Sequence, residues 1–120
     1  HCGRASRNRE ASGMAAEGDL RKKLKARVEA YGGEIRAVSW LGRRYAPDVL
    51  ALFPPESFFH WVKAGPDRPN PSAHPFVETK APGGKPTAAQ AREHQRMRAA
   101  GCTVLVISTE AQLDEWLHPL

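Results

Sequence analysis

Pro47-Asp48 and, thirty residues further on, Glu78-Thr79-Lys80 supply two carboxylates and an amine. That set of residue types suits one kind of chemistry, the metal-assisted hydrolysis of a phosphodiester. The diester is anionic and repels hydroxide, so catalysis gains most from a divalent cation that neutralises the phosphate, orients a water and stabilises the leaving oxygen. Hard cations such as Mg2+ or Mn2+ take oxygen ligands. In the run His74-Pro75-Phe76-Val77-Glu78-Thr79-Lys80, the alternation of a strand puts Glu78 and Lys80 on one face and Val77 and Thr79 on the other. Asp48 opens Asp48-Val49-Leu50-Ala51-Leu52-Phe53, an apolar run that reads as a buried strand entered through the rigid Pro47. If the two strands are neighbours, Asp48 and Glu78 can share an ion. A blander reading stands beside this one: Pro-Asp is a common turn dipeptide, and Glu-x-Lys an ordinary solvent-facing pair on an edge strand. The rest of the chain has to decide.

Those residues need a scaffold, and 120 residues are enough for one domain with a single core of two or three layers. With 18 Lys and Arg against 13 Asp and Glu, the net charge is +5 and the isoelectric point about 9.6, which suits a polyanionic partner. Cys2 and Cys102 have neither CxxC spacing nor a histidine at metal-ligand spacing, so neither a disulfide framework nor a zinc site is expected. No run of about 18 apolar residues could span a membrane and no apolar signal core opens the chain, so a soluble, cytoplasmic protein is expected. No organic cofactor is implied.

Along the chain, residues 1–16 mix Arg, Ser, Gly and Ala without periodicity and are expected to be a disordered or upstream segment, with the domain occupying 17–120. Leu20, Leu24, Val28 and Tyr31 then recur at helical spacing, and Gly32-Gly33 closes that helix. Glu17 lies one turn before Leu20 on the same stripe: it either points toward the interior or serves as a favourable acid near a helix N-terminus. Glu34 to Trp40 alternates as a first strand, with Ile35, Ala37 and Ser39 opposite Arg36 and Val38. The loop Gly42-Arg43-Arg44-Tyr45 follows, and its guanidiniums either hold phosphates or form a solvated surface. Phe58 to Val62 reads as a strand or a short helix, and Gly65 to Pro75, with four prolines, as a loop. Aromatics there cover the core or stack on bases, and His60 and His74 have no recognisable catalytic partner.

After the turn Ala81-Pro82-Gly83-Gly84-Lys85-Pro86, the Thr87-x-x-Gln90 capping box opens a helix that stops at Gly101. Gln90, His94 and Met97 share a stripe, so Gln90 faces the sheet near the ion or acts only as a cap; the two roles compete for one side chain. Thr103 to Ile107 is a continuous β-branched run, expected to be a strand buried on both faces. Thr109 caps a last helix whose Leu113, Trp116, Leu117 and Leu120 form a packing stripe.

In this order the elements and motifs resemble a stand-alone VRR-NUC domain, a branch of the PD-(D/E)xK nucleases. The matching residues are the helix closed by Gly32-Gly33, Trp40-Leu41-Gly42-Arg43-Arg44 with Pro47-Asp48-Val49-Leu50, Val77-Glu78-Thr79-Lys80-Ala81-Pro82-Gly83, Gln90, and Gly101 leading into Val104 to Ser108, over about residues 17 to 109. The resemblance implies an α/β, restriction-endonuclease-like αβββαβ core with a mixed sheet flanked by helices and a C-terminal helix. It implies a DNA endonuclease using Mg2+ or Mn2+, structure-selective for branched, junction or flap DNA and leaving 5′-phosphate and 3′-hydroxyl ends. It implies Asp48 and Glu78 as metal ligands with the Thr79 backbone carbonyl, Lys80 at the attacking water, Gln90 supporting the water, phosphate or lysine, and Glu17 holding a metal-bound water. Arg43, Arg44 and Lys85 would contact DNA, and a homodimer would let two sites cut two strands. Three departures stand out: Arg21 where relatives carry further acids, Tyr45-Ala46 in place of a small step before Pro-Asp, and a longer segment between Phe53 and Phe76. The alternative is a DNA-binding module that keeps the fold without activity.

Overall fold

A computed structural model of the chain describes residues 2–55 and 74–120, with side chains described from Ala16 onward; the expectations for Phe58 to Val62, for His60 and for most of the proline-rich stretch lie outside the described residues. Among the described residues, four strands form one mixed sheet in the order β1 (Glu34–Ala37), β2 (Val49–Leu52), β3 (Phe76–Thr79) and β4 (Val104–Ile107). β1, β2 and β3 pair antiparallel in turn, and β4 runs parallel to β3. That parallel pair needs a crossover, which α2 (Ala88–Ala99) provides. Helix α1 (Cys2–Ala30) precedes the sheet and α3 (Glu110–Trp116) closes the chain, so the described elements follow the expected αβββαβ order with a terminal helix.

One face of the sheet carries the apolar core. Leu20, Leu24, Val28 and Tyr31 of α1 meet Val49, Ala51, Phe53, Val77 and Ile107 of the sheet side, and Leu113, Trp116 and Leu117 complete the cluster. Full burial of side chains of this size contributes roughly 1.5–3 kcal/mol each. Phe53 and Trp116 meet edge to face with centroids 5.9 Å apart. Gly32, at φ +83°, takes the left-handed conformation that ends α1. A Cβ on Gly33 would lie 2.5 Å from the Leu52 carbonyl oxygen, so glycine there lets the chain turn from α1 into β1 hard against β2. The opposite face bears Phe76, Glu78 and Val104, and α2 covers part of it with its buried Glu93, His94 and Met97.

Helix α1 takes in residues 2–16, which hold no proline to break it. Three expectations are corrected. β1 ends at Ala37 rather than Trp40, since Trp40 turns inward to serve the next loop. β4 is an edge strand: Val104 and Ile107 are buried, but Leu105 and Val106 are only half-buried. Leu120, placed on the packing stripe of α3, lies beyond the helix end and is 63% exposed.

Candidate active site

The ladder between β2 and β3 sets the position of the two carboxylates. Val49 pairs with Val77 at the start of β2, and Asp48, the residue just before it, lies close enough to Glu78 to act on its carboxyl. Backbone contacts hold Asp48 there: the Val38 N–H donates to the Asp48 carbonyl at 2.8 Å, and Trp40 Nε1 donates to the Pro47 carbonyl at 2.6 Å. The Trp40 ring in turn packs on Phe76 of β3, with centroids 5.3 Å apart. The indole thus ties the turn before Asp48 to the strand that carries Glu78.

On the α2 side, Lys80 Nζ donates to Gln90 Oε1 at 2.8 Å. The same oxygen accepts the Thr87 backbone N–H at 2.9 Å, while the Gln90 N–H donates to Thr87 Oγ1 at 3.2 Å. Cap and site roles, expected to compete, are carried by one oxygen. His94, buried one turn along the same stripe, places Nε2 3.4 Å from Glu78 Oε1. Both Glu78 and Lys80 therefore meet α2, which puts them on one face as the strand alternation requires. Burial pushes the Glu78 carboxyl above its ordinary pKa; nearby Lys80 and Arg21 oppose the rise, and Asp48 and Glu17 add to it. Burial lowers the pKa of His94, and Arg98 and Lys80 lower it further against an opposing Glu93. His94 is thereby held toward its neutral form beside an acid that gives up its proton reluctantly.

On the α1 side, Arg21 Nη2 reaches Asp48 Oδ1 at 3.2 Å and Oδ2 at 3.3 Å, and Arg21 Nε donates to Thr79 Oγ1 at 2.9 Å. Thr79 Oγ1 donates to Glu17 Oε1 at 3.4 Å. Because α1 begins at Cys2, Glu17 lies well inside the helix. Thr79, on the face opposite Glu78, links Glu17 to the strand without itself joining the two carboxylates.

Basic residues flank this centre. Arg43 Nη1 lies 3.4 Å and Arg96 Nη1 3.5 Å from Oε2 of the buried Glu93. Together with Arg44, Trp40, Gly42 and Tyr45 they line a cleft of about 530 Å3. A second cleft of about 480 Å3 is lined by Asp48 with Arg21, Lys22 and Lys25 of α1 and by Ile35 and Ala37 of β1. Lys85 is exposed in the turn between β3 and α2. Sequence reasoning did not find the Arg21–Asp48 pair, the contact of His94 with Glu78, or the gathering of two arginines on Glu93. The position of His94 on the Gln90 stripe was the one available signal.

Among the described residues, no group of three or more His, Cys, Asp and Glu side chains is arranged to hold a metal ion. The donor chemistry nevertheless fits a hard divalent cation. Mg2+ is commonly held by one or two carboxylates with waters and substrate phosphate oxygens completing its shell, and Asp48 and Glu78 on adjacent strands supply that set.

No family model matches the chain. It is 34% identical over 97 residues to "Putative nuclease p44" of Acyrthosiphon pisum secondary endosymbiont phage 1, a match that spans 81% of this chain and 87% of that protein. It is also similar to a solved structure described as a VRR_NUC domain, with a TM-score of 0.64 and 35% sequence identity over 82% of this chain and 90% of the other. No helix among the described residues is long and apolar enough to cross a membrane.

Proposed function

The chain belongs to the VRR-NUC family of nucleases, and from that premise we propose that it is a DNA endonuclease whose chemistry is carried by Asp48, Glu78 and Lys80 with Mg2+ or Mn2+. The observation that supports this reading is the gathering at one end of the β2–β3 ladder, where Asp48 is a near neighbour of Glu78 while Lys80 is tethered to Gln90. Asp48, Glu78 and the Thr79 carbonyl would hold the ion. When bound, it supplies Lewis-acid stabilisation of the phosphate and acidifies water.

The chain's own groups do the rest. An ammonium has three donors, and Gln90 takes one from Lys80. The remaining two orient the attacking water and offset charge that builds on the phosphorane. Gln90 acts through Lys80 and is a positioning residue. Glu17 steadies the strand through Thr79 and holds a water at the site. Arg43, Arg44 and Lys85 bind the DNA backbone, Arg43 and Arg44 from one basic cleft and Arg21, Lys22 and Lys25 lining another beside Asp48. The ends produced are 5′-phosphate and 3′-hydroxyl, and a two-fold pair of chains brings two sites to two strands.

Linear, flapped and junction DNA incubated with the protein in Mg2+, Mn2+ or EDTA test this. Cleavage is expected with either ion, fastest on branched substrates, and absent in EDTA and in Asp48→Ala. Cleavage that survives EDTA and Asp48→Ala would overturn the assignment, and tight DNA binding with no cleavage in either metal would replace it with a binding module. Light scattering should find a dimer; monomer alone at working concentration removes the two-fold arrangement.

A further inference from the structure

Beside the carboxylates stands a cation to which the mechanism above gives no task. Arg21 Nη2 is almost equidistant from the two oxygens of Asp48, at 3.2 and 3.3 Å. One nitrogen therefore sits near the bisector of the carboxylate, the place a bidentately held cation takes. The guanidinium is fixed there from a second direction by its Nε, which donates to Thr79 Oγ1 at 2.9 Å, and Thr79 Oγ1 is itself engaged with Glu17. The guanidinium brings a positive charge and a planar fork of donors that suits a carboxylate.

Charge balance shows what it does. Ionised, Glu17, Asp48 and Glu78 carry three negative charges, and Arg21 and Lys80 carry two positive ones, all four neighbours being close enough to act on Glu78. One negative charge remains. A single divalent ion and one phosphodiester bring the site to neutrality, whereas a second divalent ion would leave it with two uncompensated positive charges. Asp48 is not exhausted by its arginine: a carboxylate offers about four lone-pair sites, so it could still help Glu78 hold an ion.

We infer that Arg21 is a resident cation that takes the place of a second metal ion, so that this site holds one divalent cation per chain. Arg21 is a positioning residue that holds Asp48 from the side a second ion would occupy. The inference rests on the metal-dependent reading proposed above.

Mn2+ binding to the full chain without DNA tests it, with free Mn2+ counted by electron paramagnetic resonance, the heat followed by calorimetry, and thermal melts confirming that each variant folds. Wild type is expected to bind one Mn2+ per chain, and Asp48→Asn to lose it. Arg21→Lys, which keeps the charge, is also expected to bind one. Arg21→Gln is expected to bind its first ion about three- to tenfold more tightly, because a like charge a few ångströms away in a half-exposed site has gone, and then to admit a second. Two ions in wild type, or unchanged affinity and stoichiometry in Arg21→Gln, overturn this inference and leave the nuclease reading standing. Wild type that takes up no Mn2+ overturns both.

Discussion

The two sides of the site are held by different physics. Toward α2 the anchoring groups are buried: the side chains of His94 and Glu78 are 2% and 10% exposed, and that of Glu93 is 11% exposed. Toward α1 the central pair is open, with Arg21 45% and Asp48 54% exposed. Water and salt screen the open pair, which by comparison with measured surface ion pairs contributes about 0–1 kcal/mol. Contacts inside are screened much less, and a buried polar group left without its partner costs about 1–3 kcal/mol. The α2 side is therefore set when the chain folds, while on the α1 side Asp48, with Arg21 still on it, stays open to solvent and to what arrives from it. A site that must admit a substrate and an ion needs one side of each kind.

Substitutions can break this contrast. Glu78→Gln has the largest expected effect: on the proposed function, cleavage should fall on the order of a thousandfold, because the charge that would hold the ion is lost. Stability should stay the same or rise, since folding already disfavours the ionised form of Glu78. A cleavage assay beside a thermal melt checks both, and a Tm several degrees lower would contradict the buried-acid account. Glu93→Ala should act the other way, leaving Arg43 and Arg96 without their shared carboxylate. Because both arginines are well exposed, the cost is about 1 kcal/mol, seen as a fall of a few degrees in Tm. Gln90→Ala should lose the cap, about 0.5–1 kcal/mol, and slow cleavage about tenfold by freeing Lys80, whereas Gln90→Glu, which keeps the acceptor oxygen, should retain the helix stability. Arg44→Ala, on the exposed loop, should leave Tm unchanged and reduce the salt dependence of DNA binding by about one unit of slope.

The same contrast separates what was legible in the sequence from what was not. Strand parity placed Glu78 and Lys80 on one face, and the Thr87-Gln90 box and the Gln90-His94-Met97 stripe placed α2 over them, because both patterns are local. Periodicity and turn signals along the chain give the order of helices and strands, which the described elements have, and the family resemblance agrees with it. Contacts between distant segments were not legible. Nothing near Arg21 marks it for Asp48, 27 residues away, and nothing near Glu93 marks it for Arg43, 50 residues away. Trp40 was read as the end of a strand because alternation says nothing about an indole whose N–H is needed by the Pro47 carbonyl. β4 was read as buried on both faces because a β-branched run fits a central strand and a helix-covered edge strand alike.

The central claim is that Lys80, held by Gln90 beside the paired carboxylates, acts on the chemical step and not on DNA binding. Lys80→Ala tests it most directly when its single-turnover cleavage rate and its DNA affinity are measured in the same Mg2+ buffer. The expected result is a rate about 10²- to 10³-fold lower with affinity within about twofold of wild type, as loss of one of many phosphate-facing charges allows. A rate that matches wild type, or one that falls only in proportion to lost binding, would contradict it.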